Sequence, residues 1–317
     1  MKESEIIELT TQCGFECERA IALKHEASGR EYWRLVNKSE SLILCFLDPL
    51  KGDHLQFTYL ADIFKSNNIN APEILMHNPK LGVTIQEDLG DNDLLEILND
   101  SNKYELVKQS LELLNKIQVI EGLNINTLNQ SDLESQINLF SEFFCGQFLK
   151  LEADDSIRKL SEKTIINLNK QPQLNCHFDY ERRNLILSKD MKINIIDFQD
   201  LCIGPIGIDL AGILLDHYQP FDEVFVKESL VFYKEESNLD LGHDELFECF
   251  RWGGIQRNLR ILGTLSRLYI DQNRSFRLND LTMILQNLID IIPSGWNCRD
   301  FLIDTVKPSL HERLKSI

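Results

Sequence analysis

The run His177-Phe178-Asp179-Tyr180-Glu181-Arg182-Arg183-Asn184 spaces a carboxylate and an amide as a phosphoryl-transfer site would. A second carboxylate, Asp197, follows thirteen residues after the Asn in Ile195-Ile196-Asp197-Phe198-Gln199-Asp200. Moving a phosphoryl group asks little covalent work of a protein: it must align an acceptor hydroxyl, take its proton late and neutralise phosphate charge. Asp179 suits the hydroxyl. Asn184 and Asp197 offer hard oxygen donors to Mg²⁺. His177 reads as a support of the loop through hydrogen bonding. Each of these residues is ordinary in a turn; the ordered set carries the reading.

The segment between the two metal candidates predicts a hairpin. Leu185-Ile186-Leu187 and Ile193-Asn194-Ile195-Ile196 are short β-prone runs around the polar turn Ser188-Lys189-Asp190. Asn184 and Asp197 then fall at its open end. H-x-D-x-x-x-x-N followed by a metal Asp is the order found in kinase-type phosphotransferases.

The elements that must position these groups come next. Strand-like runs at Ala20–Leu23, Tyr32–Val36 and Leu42–Leu47 precede a helical spacing from Asp53 to Lys65, and two further strands follow at Glu73–Met76 and Gly82–Glu87. Three strands, a helix and two strands is the order of a kinase N-terminal lobe. Between the first two strands, Ala27-Ser28-Gly29-Arg30-Glu31 holds the turn that would cover phosphates. Glu87-Asp88-Leu89-Gly90-Asp91 reads as the hinge, its backbone facing an adenine edge and its acidic side chains facing solvent or capping a helix near Asp93. From there the pattern is helical, at Leu94–Leu98, Tyr104–Val119, Leu133–Leu149 and Ile157–Leu168, and again over most of Ile208–Ile317. The expectation is an α+β, two-lobe, protein-kinase-like fold with a nucleotide-binding lobe at 1–88 and a catalytic and substrate lobe at 89–317.

The 317 residues are 43% apolar and 26% charged, the composition of a globular protein with substantial cores. A net charge of −17 disfavours nucleic acid and anionic lipid as partners and leaves cationic small molecules open. The acidic start Met1-Lys2-Glu3-Ser4-Glu5 is unlike a secretory leader, and Leu42–Leu47 is too short to span a bilayer. A cytoplasmic enzyme with no membrane, nucleic-acid or obligate protein partner is expected. Eight scattered cysteines without a C-x-x-C unit read as reduced thiols, with Cys176 and Cys202 flanking the site.

After the metal Asp, Gly204-Pro205-Ile206-Gly207-Ile208-Asp209-Leu210-Ala211 resembles the corresponding block of the aminoglycoside phosphotransferase superfamily. There the Asp matching Asp209 starts a helix and accepts hydrogen bonds from the catalytic-loop backbone. Together with Asp197-Phe198-Gln199-Asp200 and the late block Gly254-Ile255-Gln256-Arg257-Asn258-Leu259-Arg260-Ile261-Leu262-Gly263, the chain is similar to the anomeric N-acetylmuramate/N-acetylglucosamine kinases of cell-wall recycling. Ala27–Arg34 and Glu87–Asp91 also resemble that family's phosphate-loop strand and hinge.

The resemblance implies ATP and Mg²⁺ as cofactors and phosphorylation of the C1 hydroxyl of an amino sugar. It places Ser28, Gly29, Arg30, Arg34, Glu87, Asp88 and Leu89 at the nucleotide. Candidate sugar contacts are Arg183, Gln199, Asp200, Trp252, Gln256, Arg257 and Arg260, with Arg257 facing the lactyl carboxylate of muramate and Trp252 stacking on the ring. The third strand has no Lys and the following helix no evident Glu, so the usual phosphate clamp is missing, with Arg30 or Arg34 as replacements. Two other readings stay open: phosphorylation of an aminoglycoside or another small alcohol, and a non-catalytic nucleotide-binding module.

Overall fold

The computed structural model describes residues 1–23, 29–38, 40–215, 218 and 220–317. In chain order the first elements are α1 (Glu3–Gln12), β1 (Arg19–Ala22), β2 (Glu31–Asn37), β3 (Glu40–Phe46), α2 (Leu55–Ser66), β4 (Ile74–Asn78), β5 (Val83–Glu87), α3 (Leu94–Ile97) and α4 (Lys103–Gln118). Next come α5 (Gln130–Leu139), which runs into wider π-type turns over Phe140–Leu149, and α6 (Asp155–Asn169). Four short strands follow, β6 (Gln173–Cys176), β7 (Leu185–Leu187), β8 (Ile193–Ile195) and β9 (Cys202–Pro205). The chain closes with α7 (Ile206–Leu214), α8 (Glu223–Glu236), α9 (His243–Gln272), α10 (Leu281–Ile291), α11 (Asn297–Phe301) and α12 (Lys307–Lys315).

Two compact units result: Met1–Asn99 with Arg183–Gln199, and Asp100–Arg182 with Asp200–Ile317. The first thus runs past residue 88 and gathers the β7–β8 hairpin. Its antiparallel sheet has the order β1-β2-β3-β5-β4. Trp33, Leu35, Leu44, Val83 and Ile85 alternate onto one face and pack with Ile6 of α1. That helix is an element beyond the one expected in this lobe; it buries only Ile6 and Thr10, too narrow a stripe for a clear periodic signal. Backbone hydrogen bonds anchor the hairpin to this unit, from Ile195 N–H to the Asn70 carbonyl and from Leu187 N–H to the Asn92 carbonyl, both at 2.9 Å. Phe198 then stacks on Phe57 of α2 with ring centres 4.8 Å apart.

The second unit is built around the thirty-residue α9. Every residue from Trp252 to Leu259 on it is buried, so this stretch has no solvent face. Ile255, Leu259 and Leu262 share a core with Phe140, Phe144, Phe148, Leu281 and Leu285. Helix α7 meets α9 through two glycines. A Cβ built on Gly207 would lie 1.8 Å from the Cys249 carbonyl oxygen, and one on Gly253 would lie 2.0 Å from that of Gly207. Only glycine permits backbones to approach so closely.

The β6–β9 pair, in which Cys176 faces Cys202, gave no sequence signal. Four-residue runs such as Gln173-Leu174-Asn175-Cys176 are too short and polar to show a period. The pair matters because β6 ends where the His177 loop begins.

Candidate active site

In the first unit, Leu185 pairs with Ile195 and the Ile196 N–H donates to the Asn184 carbonyl over 3.0 Å. Asn184 and Asp197 are thereby brought to the same end of the hairpin. Asp197 adopts φ 60°, a left-handed backbone uncommon for a non-glycine residue and frequent at functional sites. Gln199 is buried and donates from Nε2 to Asp197 Oδ1 over 2.6 Å. It thus holds the carboxylate expected to meet the metal, while its reading as a sugar contact stays an expectation.

An amide oxygen and a carboxylate are a fitting donor set for Mg²⁺, which takes one or two protein oxygens and completes its shell with phosphate and water. No group of three or more His, Cys, Asp or Glu in metal-holding geometry occurs among the described residues.

Beside this hairpin end lies a cavity of about 250 Å³. Leu23, Ile43, Ile186 and Ile196 give it apolar walls, Gln86 to Asp91 line one edge, and Asp197 and Arg34 reach it. Flat apolar walls beside an extended backbone segment suit a nucleobase. Glu87, Asp88 and Leu89 are all on that edge.

Arg34 does not offer its charge to phosphate. Its Nε meets Asp88 Oδ2 at 2.7 Å and its two terminal nitrogens meet Asp91. The hydrogen bonds that Arg34 donates to Asp91, together with those to Asp88, raise the guanidinium pKa further despite burial. Asp88, expected to face solvent, instead has a side chain only 4% exposed. Burial acts to raise its pKa, but hydrogen bonds from Ser41, Arg34 and the Gly90 N–H outweigh that and hold it below the usual aspartate value.

Arg30 is half-buried and near β3. Burial pushes the Cys45 thiol up to about 12, while Arg30 pulls it down and Asp197 pushes it up. Arg30 therefore supplies positive charge close to the strand that lacks Lys. Gly29 takes φ 75°, as a tight turn requires. Ser28 lies outside the described residues.

In the second unit, His177 is buried behind β6. Asp209 sits in the first turn of α7, where Pro205 is the N-cap. Its Oδ2 accepts from the His177 backbone N–H at 2.6 Å and its Oδ1 from that of Phe178 at 2.8 Å. Burial raises the Asp209 pKa, while His177 and the two N–H groups pull against that. Phe178, like Asp197, is left-handed, with φ 75°. Tyr180 anchors the other side of the loop by donating to the Ser110 carbonyl over 2.6 Å.

Asp179 projects from this braced loop toward α9. Arg260 reaches its Oδ1 at 2.7 Å and Arg257 the same oxygen at 3.2 Å. Arg257 also meets Glu181 at 2.5 Å, and the Arg260 guanidinium lies 4.1 Å over the Phe178 ring. Burial would raise the Asp179 pKa, but the charges of Arg260 and Arg257 and the Arg260 hydrogen bond dominate and hold it well below the usual carboxylate range. The Asp179 side chain still keeps 47% of its surface accessible.

Several of the expected sugar contacts have partners within the chain. Arg257 is 3% exposed and paired with both Asp179 and Glu181. Arg260 is likewise engaged. Gln256 is fully buried and donates to Gln136 over 2.7 Å. Trp252 belongs to the core, tilted against Trp296 at 5.8 Å. Asp200 is exposed and Arg183 half-buried. Sequence reading missed Glu181 as the partner of Arg257, and only its place inside the catalytic loop could have flagged it.

The fold is that of the protein-kinase-like phosphotransferases, and a family model described as the phosphotransferase enzyme family matches residues 19–243. The chain belongs to this family and is an enzyme that phosphorylates a hydroxyl acceptor. It is 28% identical over 259 residues to the N-acetylmuramate/N-acetylglucosamine kinase of Neisseria meningitidis serogroup B, covering 77% of each chain. It is 23% identical to the protein of the same name from Pseudomonas aeruginosa, covering 84% of this chain and 82% of that one. Among solved structures, a spectinomycin phosphotransferase in complex with ADP and spectinomycin matches with a TM-score of 0.65 at 11% identity, over 99% of this chain and 98% of that one. No helix among the described residues is long and apolar enough to cross a membrane.

Proposed function

We propose that this enzyme transfers the γ-phosphoryl group of ATP, with Mg²⁺, to the anomeric C1 hydroxyl of N-acetylmuramate or N-acetylglucosamine. The observation that carries the reading is the similarity to two kinases of that name over more than three quarters of each chain. The nucleotide would occupy the cavity edged by Gln86 to Asp91, in the unit Met1–Asn99 with Arg183–Gln199 that contains the expected lobe 1–88, with acceptor binding assigned to the remainder of 89–317. Asn184 and Asp197 would hold Mg²⁺, which supplies neutralisation of phosphate charge when bound. In this reading the enzyme works in the cytoplasm.

The site chemistry agrees with an anomeric acceptor. A carboxylate held by two arginines is a weak base, poorly suited to removing a proton early. The anomeric hydroxyl is more acidic than an ordinary alcohol because the ring oxygen withdraws electron density. Asp179 would orient it and receive its proton late, after most of the P–O bond rearrangement.

A second acceptor class, cationic aminoglycosides, is favoured by the net charge of −17 and by the commitment of both α9 arginines to acids of their own chain. Turnover of free sugars and aminoglycosides by the wild type and Asp179→Asn tests the reading. The variant should bind ATP normally and lose most turnover, because the amide keeps the shape without the basicity. Near-normal turnover would remove Asp179 from its role.

A further inference from the structure

Arg257 and Arg260 stand three residues apart on α9, on the face that also carries Gly253, the site of close approach to α7. Both donate to one oxygen of Asp179, and both reach toward the Phe178 carbonyl at 3.5 Å. Glu181 neutralises the more buried of the two. Asp179 and Glu181 thus face Arg257 and Arg260 as two acids against two bases in direct contact. Arg260 adds a stacking contact on Phe178, the left-handed residue directly before Asp179.

Cations that only balanced charge could sit anywhere nearby. Two planar guanidinium groups on one carboxylate oxygen instead fix the rotation of that carboxylate. Arg260 also covers the ring of the residue whose backbone sets the direction of Asp179. We propose that Arg257 and Arg260 are positioning residues for phosphoryl transfer: they hold the Asp179 carboxylate in the orientation that receives the acceptor hydroxyl, and they act through Asp179 rather than on sugar or nucleotide.

This rests on Asp179 being the acceptor-side carboxylate. It does not depend on which hydroxyl is phosphorylated. Through these two arginines α9 thereby becomes part of the catalytic apparatus.

A double-mutant cycle tests it, using the full chain and whichever acceptor the wild type turns over. A wrong sugar assignment changes the acceptor and leaves the cycle interpretable. Single-turnover transfer from radiolabelled ATP keeps slow variants measurable. Arg260→Met should lower the transfer rate about tenfold or more, the scale of one charge-assisted hydrogen bond. ATP affinity should stay within about twofold of wild type. Arg260→Lys, which keeps the charge and a donor, should recover part of the loss. In the Asp179→Asn background Arg260→Met should cost almost nothing more, because residues that act as one unit are not additive.

The same fractional loss with and without Asp179 would overturn the proposal, as would a wild-type rate in Arg260→Met. Should the methionine variant melt below the assay temperature, Arg257→Lys runs through the same cycle with the same two outcomes.

Discussion

The Asp209 carboxylate grips the backbone N–H of Phe178 at 2.8 Å, thirty-one residues earlier in the chain, and so ties the first turn of α7 to a left-handed residue of the catalytic loop. Its other oxygen takes the His177 N–H. Removing it leaves two buried donors without their acceptor. Asp209→Ala should destabilise the protein by roughly 3 kcal/mol, since hydrogen bonds to charged groups contribute about 1.5–3 kcal/mol each. Turnover should fall more than ATP affinity. Urea unfolding and calorimetric ATP titration check both, and an unchanged unfolding midpoint would show that the loop stands without the brace.

Arg257 is expected to be blind to the acceptor's charge. Its guanidinium is committed to Asp179 and Glu181, so Arg257→Ala should reduce kcat/KM by the same factor on N-acetylmuramate and N-acetylglucosamine. Steady-state rates on the two sugars decide it. A loss about tenfold larger on the anionic sugar would mean that the arginine leaves its partners to meet the lactyl carboxylate.

The Arg34–Asp88 pair predicts a specific acid sensitivity. Because the folded pKa of Asp88 lies below its unfolded value, its contribution to stability is complete above the ordinary aspartate range and is lost as pH falls through the lowered folded value. The difference in unfolding free energy between wild type and Asp88→Asn should therefore hold from about pH 6 to about pH 4 and shrink as pH falls further. A difference that stays constant below about pH 4 would remove Asp88 from the acid response.

Asp197→Ala should weaken ATP binding only when Mg²⁺ is present, because in its proposed role Asp197 supplies an oxygen donor to the metal. Calorimetry with Mg²⁺ and with EDTA measures this directly. Equal ATP affinity of wild type and variant in Mg²⁺ would contradict the metal assignment.

Much of this arrangement was legible in the sequence for physical reasons. The runs Leu185–Leu187 and Ile193–Ile196 are β-prone and end sharply in polar turns, so the hairpin and its flanking Asn184 and Asp197 stood out. Helix α9 was harder to read in detail. A spacing of three residues places Arg257 and Arg260 on a common face, but it does not say whether that face meets solvent, substrate or another loop. Because α9 is buried all round at Trp252–Leu259, the usual contrast between apolar and polar faces vanishes there. From sequence, Trp252 and Gln256 therefore read as sugar contacts, whereas both are buried. The close approach of Gly207 and Gly253 was equally hidden, since a glycine in sequence does not reveal what occupies the place of its missing Cβ.

The position of the transferred phosphate is decisive, and ³¹P NMR of the reaction product reads it. With ATP, Mg²⁺ and N-acetylmuramate or N-acetylglucosamine, the product should be a sugar phosphate whose phosphorus couples to the anomeric proton, its yield sharply reduced when Asp179→Asn replaces the wild type. A phosphate on any other hydroxyl, or transfer to aminoglycosides with none to either sugar, would contradict it.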